Sequence, residues 1–217
     1  MVGNSLYNVL FLLHNYFVTS GHGFPGSLHV IVFYSNDNST NTTDFFINQL
    51  LPVAEFMDDY VNIELIPFGR AKSVLEDGKT QIQCDSGYEE CYANMFQDCA
   101  FLKLPANRDK VRFVVCEMTT ISGVSKQYYC VQRLGMSRAS VDSCMQGDAG
   151  LELQLVSEEI TAHFQIKQFP TVVINKMYSQ EVQDNAMRDL QGLLCTILTP
   201  NPACARLSIS RALDMLY

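Results

Sequence analysis

Leu28-His29-Val30-Ile31-Val32-Phe33-Tyr34 is the stretch on which the reading of the fold turns. Apart from His29 it is an unbroken run of strand formers, and a run without polar alternation belongs to a strand covered on both faces. The polar segment Ser35 to Thr43 follows. Beyond it Phe46, Ile47, Leu50, Leu51, Ala54 and Met57 recur at helical spacing, with Asn48, Glu55, Asp58 and Asp59 on the other face and Thr43-Asp44 as the cap. Pro52 lies inside that helix and predicts a kink or a break near it, because proline lacks the N–H the helix needs. Val61 to Phe68 alternates and reads as a second strand. A strand, a helix and a strand in about 40 residues make a right-handed βαβ unit with parallel strands.

Further along, Ser73 to Leu75 and Thr80 to Cys84 flank Asp77-Gly78, which predicts a hairpin. From Tyr88 the period becomes helical, with Tyr88, Cys91, Tyr92, Met95, Cys99 and Leu102 on one inward stripe. Asp109 to Met118 fits a buried strand or a helix, whereas Ser140 to Cys144 and Leu151 to Phe164 read as helical. Strand character returns at Thr171 to Ile174, directly after Phe169-Pro170, where a residue without an N–H is tolerated. A turn at Asn175-Lys176 leads to a short further strand, and a helix from about Asn185 buries Leu190, Leu193, Leu194, Ile197 and Leu198. The expected class is α/β: a thioredoxin-like βαβ…ββα fold over residues 24–204, with a mostly helical, disulfide-bonded insertion at about 85–165. Residues 205–217 form a C-terminal tail whose Leu207, Ile209, Leu213 and Leu216 are expected to pack on the same domain.

The 217 residues are 47% hydrophobic and 18% charged, ample material for a packed core and unlike a disordered chain. A net charge of −8 argues against a nucleic-acid partner, which needs a concentrated positive surface. No apolar run reaches the length of a membrane span. Residues 1–23 are expected to be a signal peptide. Val9 to Leu13 would be its apolar region, Gly21 and Gly23 small residues for cleavage before Phe24, and the first charged residue is Asp37, although no Lys or Arg precedes the run.

Two further features point to the secretory pathway. Cys84, Cys91, Cys99, Cys116, Cys130, Cys144, Cys195 and Cys204 are even in number, and no two stand at the two-residue spacing of a zinc knuckle or a redox dithiol. They are read as structural disulfides, with no metal and no cofactor. Eight cysteines allow 105 pairings, so connectivity stays open. The simplest pair is Cys195 with Cys204 across Thr199-Pro200-Asn201-Pro202, whose closure contributes about 2–3 kcal/mol. Cysteines seven or eight apart on one helix would hold their Cα atoms about 10–12 Å apart, so partners for those on the stripe come from other segments. The second feature is a pair of N-glycosylation sequons, Asn38-Ser39-Thr40 and Asn41-Thr42-Thr43, in the polar segment after the first strand.

The stretch Cys84-Asp85-Ser86-Gly87-Tyr88-Glu89-Glu90-Cys91-Tyr92-Ala93-Asn94, ending at Cys99, resembles the signature of the gamma-interferon-inducible lysosomal thiol reductase (GILT) family. Asp85-Ser86 replaces the Gln-His of that signature. The resemblance extends through Val61 to Gly69, Cys116-Glu117-Met118, Cys144 with Gly147 and Gly150, and Pro170 to Asn175. It implies a thioredoxin-like fold in which Pro170 is the cis proline facing the redox centre. It also implies a Cys-x-x-Cys at the end of the first strand, where one thiolate attacks a substrate disulfide and the other resolves the adduct. Anchored on Tyr34 and Gln49 to Pro52, that motif would fall within Asn36, Asp37, Asn38, Ser39, Thr40, Asn41, Thr42 and Thr43, which include no cysteine. The chain thus resembles members of the family without the redox pair, such as those among secreted insect proteins, mosquito salivary ones included.

Hydroxyls cannot replace thiols in that cycle, since its oxidised state is a sulfur–sulfur bond. Cys91 follows Glu89 and Glu90, whose carboxylates oppose a thiolate, and reads as structural. His163, between Ala162 and Phe164, reads as a core or helix-end residue. The expectation is a secreted, glycosylated protein without catalytic residues that acts by binding an extracellular or cell-surface protein. The alternatives are a thiol-disulfide oxidoreductase using another pair among the eight cysteines, and a chaperone-like module that holds unfolded chains around Pro170.

Overall fold

The computed structural model describes residues 27–121, 123–198 and 200–205. The expected signal peptide therefore lies outside the described residues, as does the tail beyond Ala205. β1 (Leu28–Tyr34) is the centre of a three-stranded sheet of order β2-β1-β5. It runs parallel to β2 (Val61–Pro67), with Leu28 opposite Val61 and Tyr34 opposite Pro67, and antiparallel to β5 (Thr171–Ile174), with Phe33 opposite Thr171. Its unbroken apolar character has a direct cause: both faces are covered. Val30, Val32 and Tyr34 join one cluster with Phe46, Leu50 and Leu190, while Ile31 and Phe33 join another with Val173 and Ile160.

The crossover from β1 to β2 is helical, but it begins earlier than the Thr43-Asp44 cap foretold. α1 (Thr40–Phe45) starts behind Ser39, and α2 (Leu51–Phe56) completes the crossover. Between them Phe46–Leu50 forms a π turn, closed by Leu51 N–H donating to the Phe46 carbonyl. Pro52 then falls in the first turn of α2, where its missing N–H costs little. The expected break is thus resolved as one wide turn, and Phe46, Leu50, Ala54 and Met57 all reach the core.

β3 (Ala71–Glu76) and β4 (Lys79–Cys84) form the expected hairpin as a separate two-stranded sheet. Asp77 and Gly78 both have positive φ, 50° and 74°, as a two-residue type I′ connection requires. Five helices follow before β5: α3 (Tyr88–Phe101), α4 (Asn107–Thr120), α5 (Tyr129–Arg133), α6 (Arg138–Gln146) and α7 (Asp148–His163). The ambiguous Asp109 to Met118 is helix. The stripe on α3 needs correction. Tyr88 and Leu102 are exposed, whereas Glu90, Asn94, Gln97 and Asp98 are buried beside Phe96 and Cys99. Apolar spacing could not show this, because those polar groups are satisfied by partners on other segments, among them Tyr34, Ser35, Asn36 and Gln154.

After β5 the short strand is reduced to one bridge, Ile174 to Met177, and Met177 is exposed. α8 (Gln180–Ile197) starts before Asn185, because Ser179 accepts a hydrogen bond from Val182 N–H at 3.1 Å as its N-cap. The helix kinks at Asp189, whose carboxylate accepts from Gly192 N–H, while Gln49 of the π turn accepts from Leu190 N–H. Leu190 and Leu194 are buried, but Ile197 is exposed. β5 is an edge strand, and Gln183 of α8 covers it: its amide accepts from Val172 N–H and donates to the Pro170 carbonyl. No helix of the described residues is long and apolar enough to cross a membrane.

Candidate functional site

β1 delivers the chain into the loop Ser35–Ser39, and a row of polar side chains on α3 holds that loop in place. The Ser35 hydroxyl donates to Glu90 Oε1, and Glu90 Oε2 accepts from Ser86 N–H at 2.8 Å. Asn36 donates from its backbone N–H and from Nδ2 to Asn94 Oδ1, at 3.2 and 2.8 Å. Asn94 Nδ2 in turn donates to the Phe68 carbonyl at 3.0 Å. Gln97 Nε2 donates to Asn36 Oδ1 at 2.7 Å, and Gln97 Oε1 accepts from the Tyr34 hydroxyl at 2.6 Å. Gly69 is needed here: at φ +66°, a Cβ would lie 2.5 Å from Ser35 Oγ and 2.8 Å from Glu90 Oε1. Burial and the Asp98 charge push the Tyr34 phenol well above its usual range, so it stays a hydrogen-bond donor.

The rest of the loop is shaped locally. Asp37 Oδ1 accepts from Ser39 N–H at 3.0 Å, a turn that leaves Asn38 at φ +58°, a conformation asparagine tolerates. Asn38 and Asn41, the two sequon acceptors, are both exposed, as is Thr40. Thr43 Oγ1 donates to the Ser39 carbonyl. Thr42 differs: it is 1% exposed, and its hydroxyl has no hydrogen-bond partner.

A cleft of about 70 Å³ opens between this loop, α3 and α4. Ser39 lines it from the loop, Thr42 and Thr43 from α1, Glu89, Ala93 and Gln97 from α3, and Glu117 and Met118 from α4. Glu117 is buried and accepts from Gly123 N–H at 2.7 Å. No cysteine is among the lining residues. On the sheet side, the Phe169-Pro170 bond is cis. Continuing the β1–β5 register one step beyond Phe33 and Thr171 sets Pro170, which is buried, alongside Tyr34 at the root of the loop.

The sulfur atoms are elsewhere and in pairs. Cys84 bonds Cys91, Cys99 bonds Cys144, Cys116 bonds Cys130 and Cys195 bonds Cys204, leaving no free cysteine. Cys91 stands seven positions after Cys84, a spacing that could not bond along one helix. It bonds here because Cys84 ends β4 and the chain turns through Gly87, at φ +90°, before α3 begins, which leaves the Cα atoms 5.7 Å apart. His163 is the exposed last residue of α7. Among the described residues no group of three or more His, Cys, Asp or Glu could hold a metal ion. Sequence reading missed Glu89, Gln97 and Glu117 as cleft residues; their recurrence beside the family-like stretch was visible, but the convergence of α3 and α4 on one loop was not.

Residues 29–134 match the family model described as gamma interferon inducible lysosomal thiol reductase. A gamma-interferon-inducible lysosomal thiol reductase-like protein of Anopheles gambiae is 24% identical over 91% of this chain and 87% of its own length. A gamma-interferon-inducible lysosomal thiol reductase of Carassius auratus is 26% identical over 71% of this chain, which spans only 62% of that relative's length. Among solved structures, oxidized PaDsbA1 in complex with a triazole-amine superposes with a TM-score of 0.50 at 11% identity, over 84% of this chain and 89% of that one. The last likeness speaks for the fold alone, and agrees with the thioredoxin-like sheet and its helical insertion. Residues 29–134 thus carry a GILT family-model domain, and the chain is similar to GILT and GILT-like proteins.

Proposed function

We propose that this GILT-like chain is a secreted, N-glycosylated protein that has lost disulfide reductase activity and acts by contact with an extracellular or cell-surface partner. The observation that carries the reading is the joint state of loop and cysteines. Residues 36–43, which follow the central strand where the family's redox pair is expected, hold no sulfur. All eight cysteines are closed in four bridges, so no thiolate is left to attack a client. The exposed sequon asparagines Asn38 and Asn41 support glycosylation, since an acceptor must be reachable. A glycan on either would stand over the loop and oppose docking of a disulfide substrate there.

Insulin reduction at acidic and neutral pH tests the catalytic half: the expected rate is that of buffer with reductant alone, and turnover comparable to an active thiol reductase would overturn the reading. Secreted protein should run as two glycoforms heavier than the Asn38→Gln/Asn41→Gln variant. Equal mobility would remove glycosylation from the proposal.

A further inference from the structure

We propose that Asp98, Gln154 and the Pro67 carbonyl form an acid-closed latch, which ties α3 to α7 and β2 and through α3 sets how firmly the β1–α1 loop is held. The three meet at one buried node. Gln154, 0% exposed, spans it: Nε2 donates to Asp98 Oδ2 at 2.7 Å and to the Pro67 carbonyl at 3.2 Å. Ser157 of α7 donates to the same Oδ2 at 3.3 Å. Both donors reach one carboxyl oxygen, while Gln154 Oε1 is buried with no donor. An ionised carboxylate only accepts, so it would leave that oxygen orphaned beside a negative charge. A neutral carboxyl brings one O–H, and an acid facing a primary amide bonds it twice, accepting from N–H and donating to the amide oxygen. The orphaned acceptor thus marks where the acidic proton of Asp98 goes.

The charged groups on the surrounding elements are engaged elsewhere. On α7, Asp148, Glu152, Glu159 and His163 are exposed, and Glu158 accepts from Ser73 N–H of β3 at 2.7 Å. Arg138 and Asp142 of α6 bond each other, Glu64 of β2 bonds His29, and Lys79 of β4 is exposed at the hairpin turn. Glu117 of α4 accepts from Gly123 N–H, and on α3 itself Glu90 is held by Ser35 and Ser86 while Glu89 is exposed. The titratable group that feels Asp98 is Tyr34 of β1. Burial, opposed only by the two hydrogen bonds, raises the Asp98 carboxyl to about 7. Below that pH the latch is closed; above it a buried anion without a positive partner draws in water or parts α7 from α3. The disturbance has a short path to the loop. Gln97, next to Asp98, bonds the Tyr34 hydroxyl and Asn36, and Asn94 bonds Asn36 and the carbonyl of Phe68, the neighbour of Pro67.

The test is NMR of the full chain, with aspartate carboxyls labelled with carbon-13 and amides with nitrogen-15, followed from about pH 5 to about pH 9. The Asp98 carboxyl resonance should titrate with a midpoint of about 7, and the Gln154 side-chain amide and the backbone amides of Ser35–Ser39 should shift with the same midpoint. Order parameters of those loop amides should fall from about 0.85 toward 0.6 across the same range. Asp98→Asn, a neutral group of the same shape, should leave the loop resonances flat and the loop ordered throughout. An Asp98 resonance already at its ionised position at the acidic end would overturn the proposal. So would a loop that ignores the Asp98 titration, or a loop titration that survives in Asp98→Asn. If that variant does not fold, coincidence or separation of the midpoints in the wild type decides alone. None of these outcomes depends on whether the protein reduces insulin, so the latch and the proposed function fail separately.

Discussion

Val32 in β1 and Cys99 in α3 are both wholly buried, yet the regions around them are held together by different means. Around Val32 the sheet packs against α1, the π turn, α2, α4 and α8 through Phe46, Leu50, Val53, Val111 and Leu190, a continuous apolar core. Around Cys99 the helices α3 to α7 share a smaller cluster that contains Cys99, Cys130 and Cys144, and two bridges tie it, α3 to α6 and α4 to α5. Along the seam where α3 meets the sheet and α7, the buried side chains are polar: Glu90, Asn94, Gln97, Asp98, Gln154 and Ser157. An insertion with a smaller apolar cluster gains from crosslinks that restrict its unfolded chain, whereas the sheet region relies more on area removed from water.

The largest effect expected from breaking this contrast comes from the insertion bridges. Closing loops of 45 and 14 residues contributes about 4 and about 3 kcal/mol, so Cys99→Ala/Cys144→Ala combined with Cys116→Ala/Cys130→Ala removes roughly 7 kcal/mol. Hydrogen exchange should accelerate over α3–α7 before it does over β1 and β2; uniform acceleration would mean that one cooperative unit spans both regions.

Asp98 sharpens the comparison through pH. Burial raises its carboxyl to about 7, against the lowering influence of hydrogen bonds from Gln154 and Ser157. An unfolded Asp titrates near 3.9. Between about pH 4 and 7 the unfolded chain has lost this proton while the folded protein keeps it, so stability falls as pH rises through that window and levels above it. The contribution is on the order of 4 kcal/mol, and urea unfolding across pH 4–8 should show that slope in the wild type and a flattened one in Asp98→Asn. The sign favours the folded state at acidic pH.

Leu50→Ala should cost about 3 kcal/mol by leaving a cavity under the sheet, read as a lower urea midpoint with an unchanged m-value. Gln183→Ala should cost about 2 kcal/mol, because Val172 N–H and the Pro170 carbonyl lose the amide that covers the β5 edge. Thermal midpoints for Gln183→Ala and Gln183→Glu separate lost packing from lost donation, since the carboxylate keeps only the acceptor.

How much of this was legible depended on whether the signal was periodic. The continuous apolar run of β1, the Asp77-Gly78 hairpin and the Leu190/Leu194 face of α8 were readable, because core-facing residues repeat at the period of their element. α5 has only five residues, too few to show a period, and the start of α8 was missed although Ser179 carries an N-cap signal. The buried face of α3 was misread because Glu90, Asn94, Gln97 and Asp98 look like a solvated face until their partners on other segments are known.

By itself the sequence determined where the sulfur stands: a loop without cysteine after a central strand, and an even set of cysteines with no dithiol spacing, follow from composition and order alone. It also determined the parallel βαβ unit, because a strand buried on both faces followed by a helix permits few alternatives. Cys195–Cys204 was readable across its short turn, but only the tertiary structure decided the other three pairs, since many connectivities share one sequence and a bridge requires Cα atoms about 5.5–6 Å apart. It alone brought α3 and α4 to the loop and left the Thr42 hydroxyl buried without a partner, because burial and hydrogen bonding depend on neighbours that are distant along the chain.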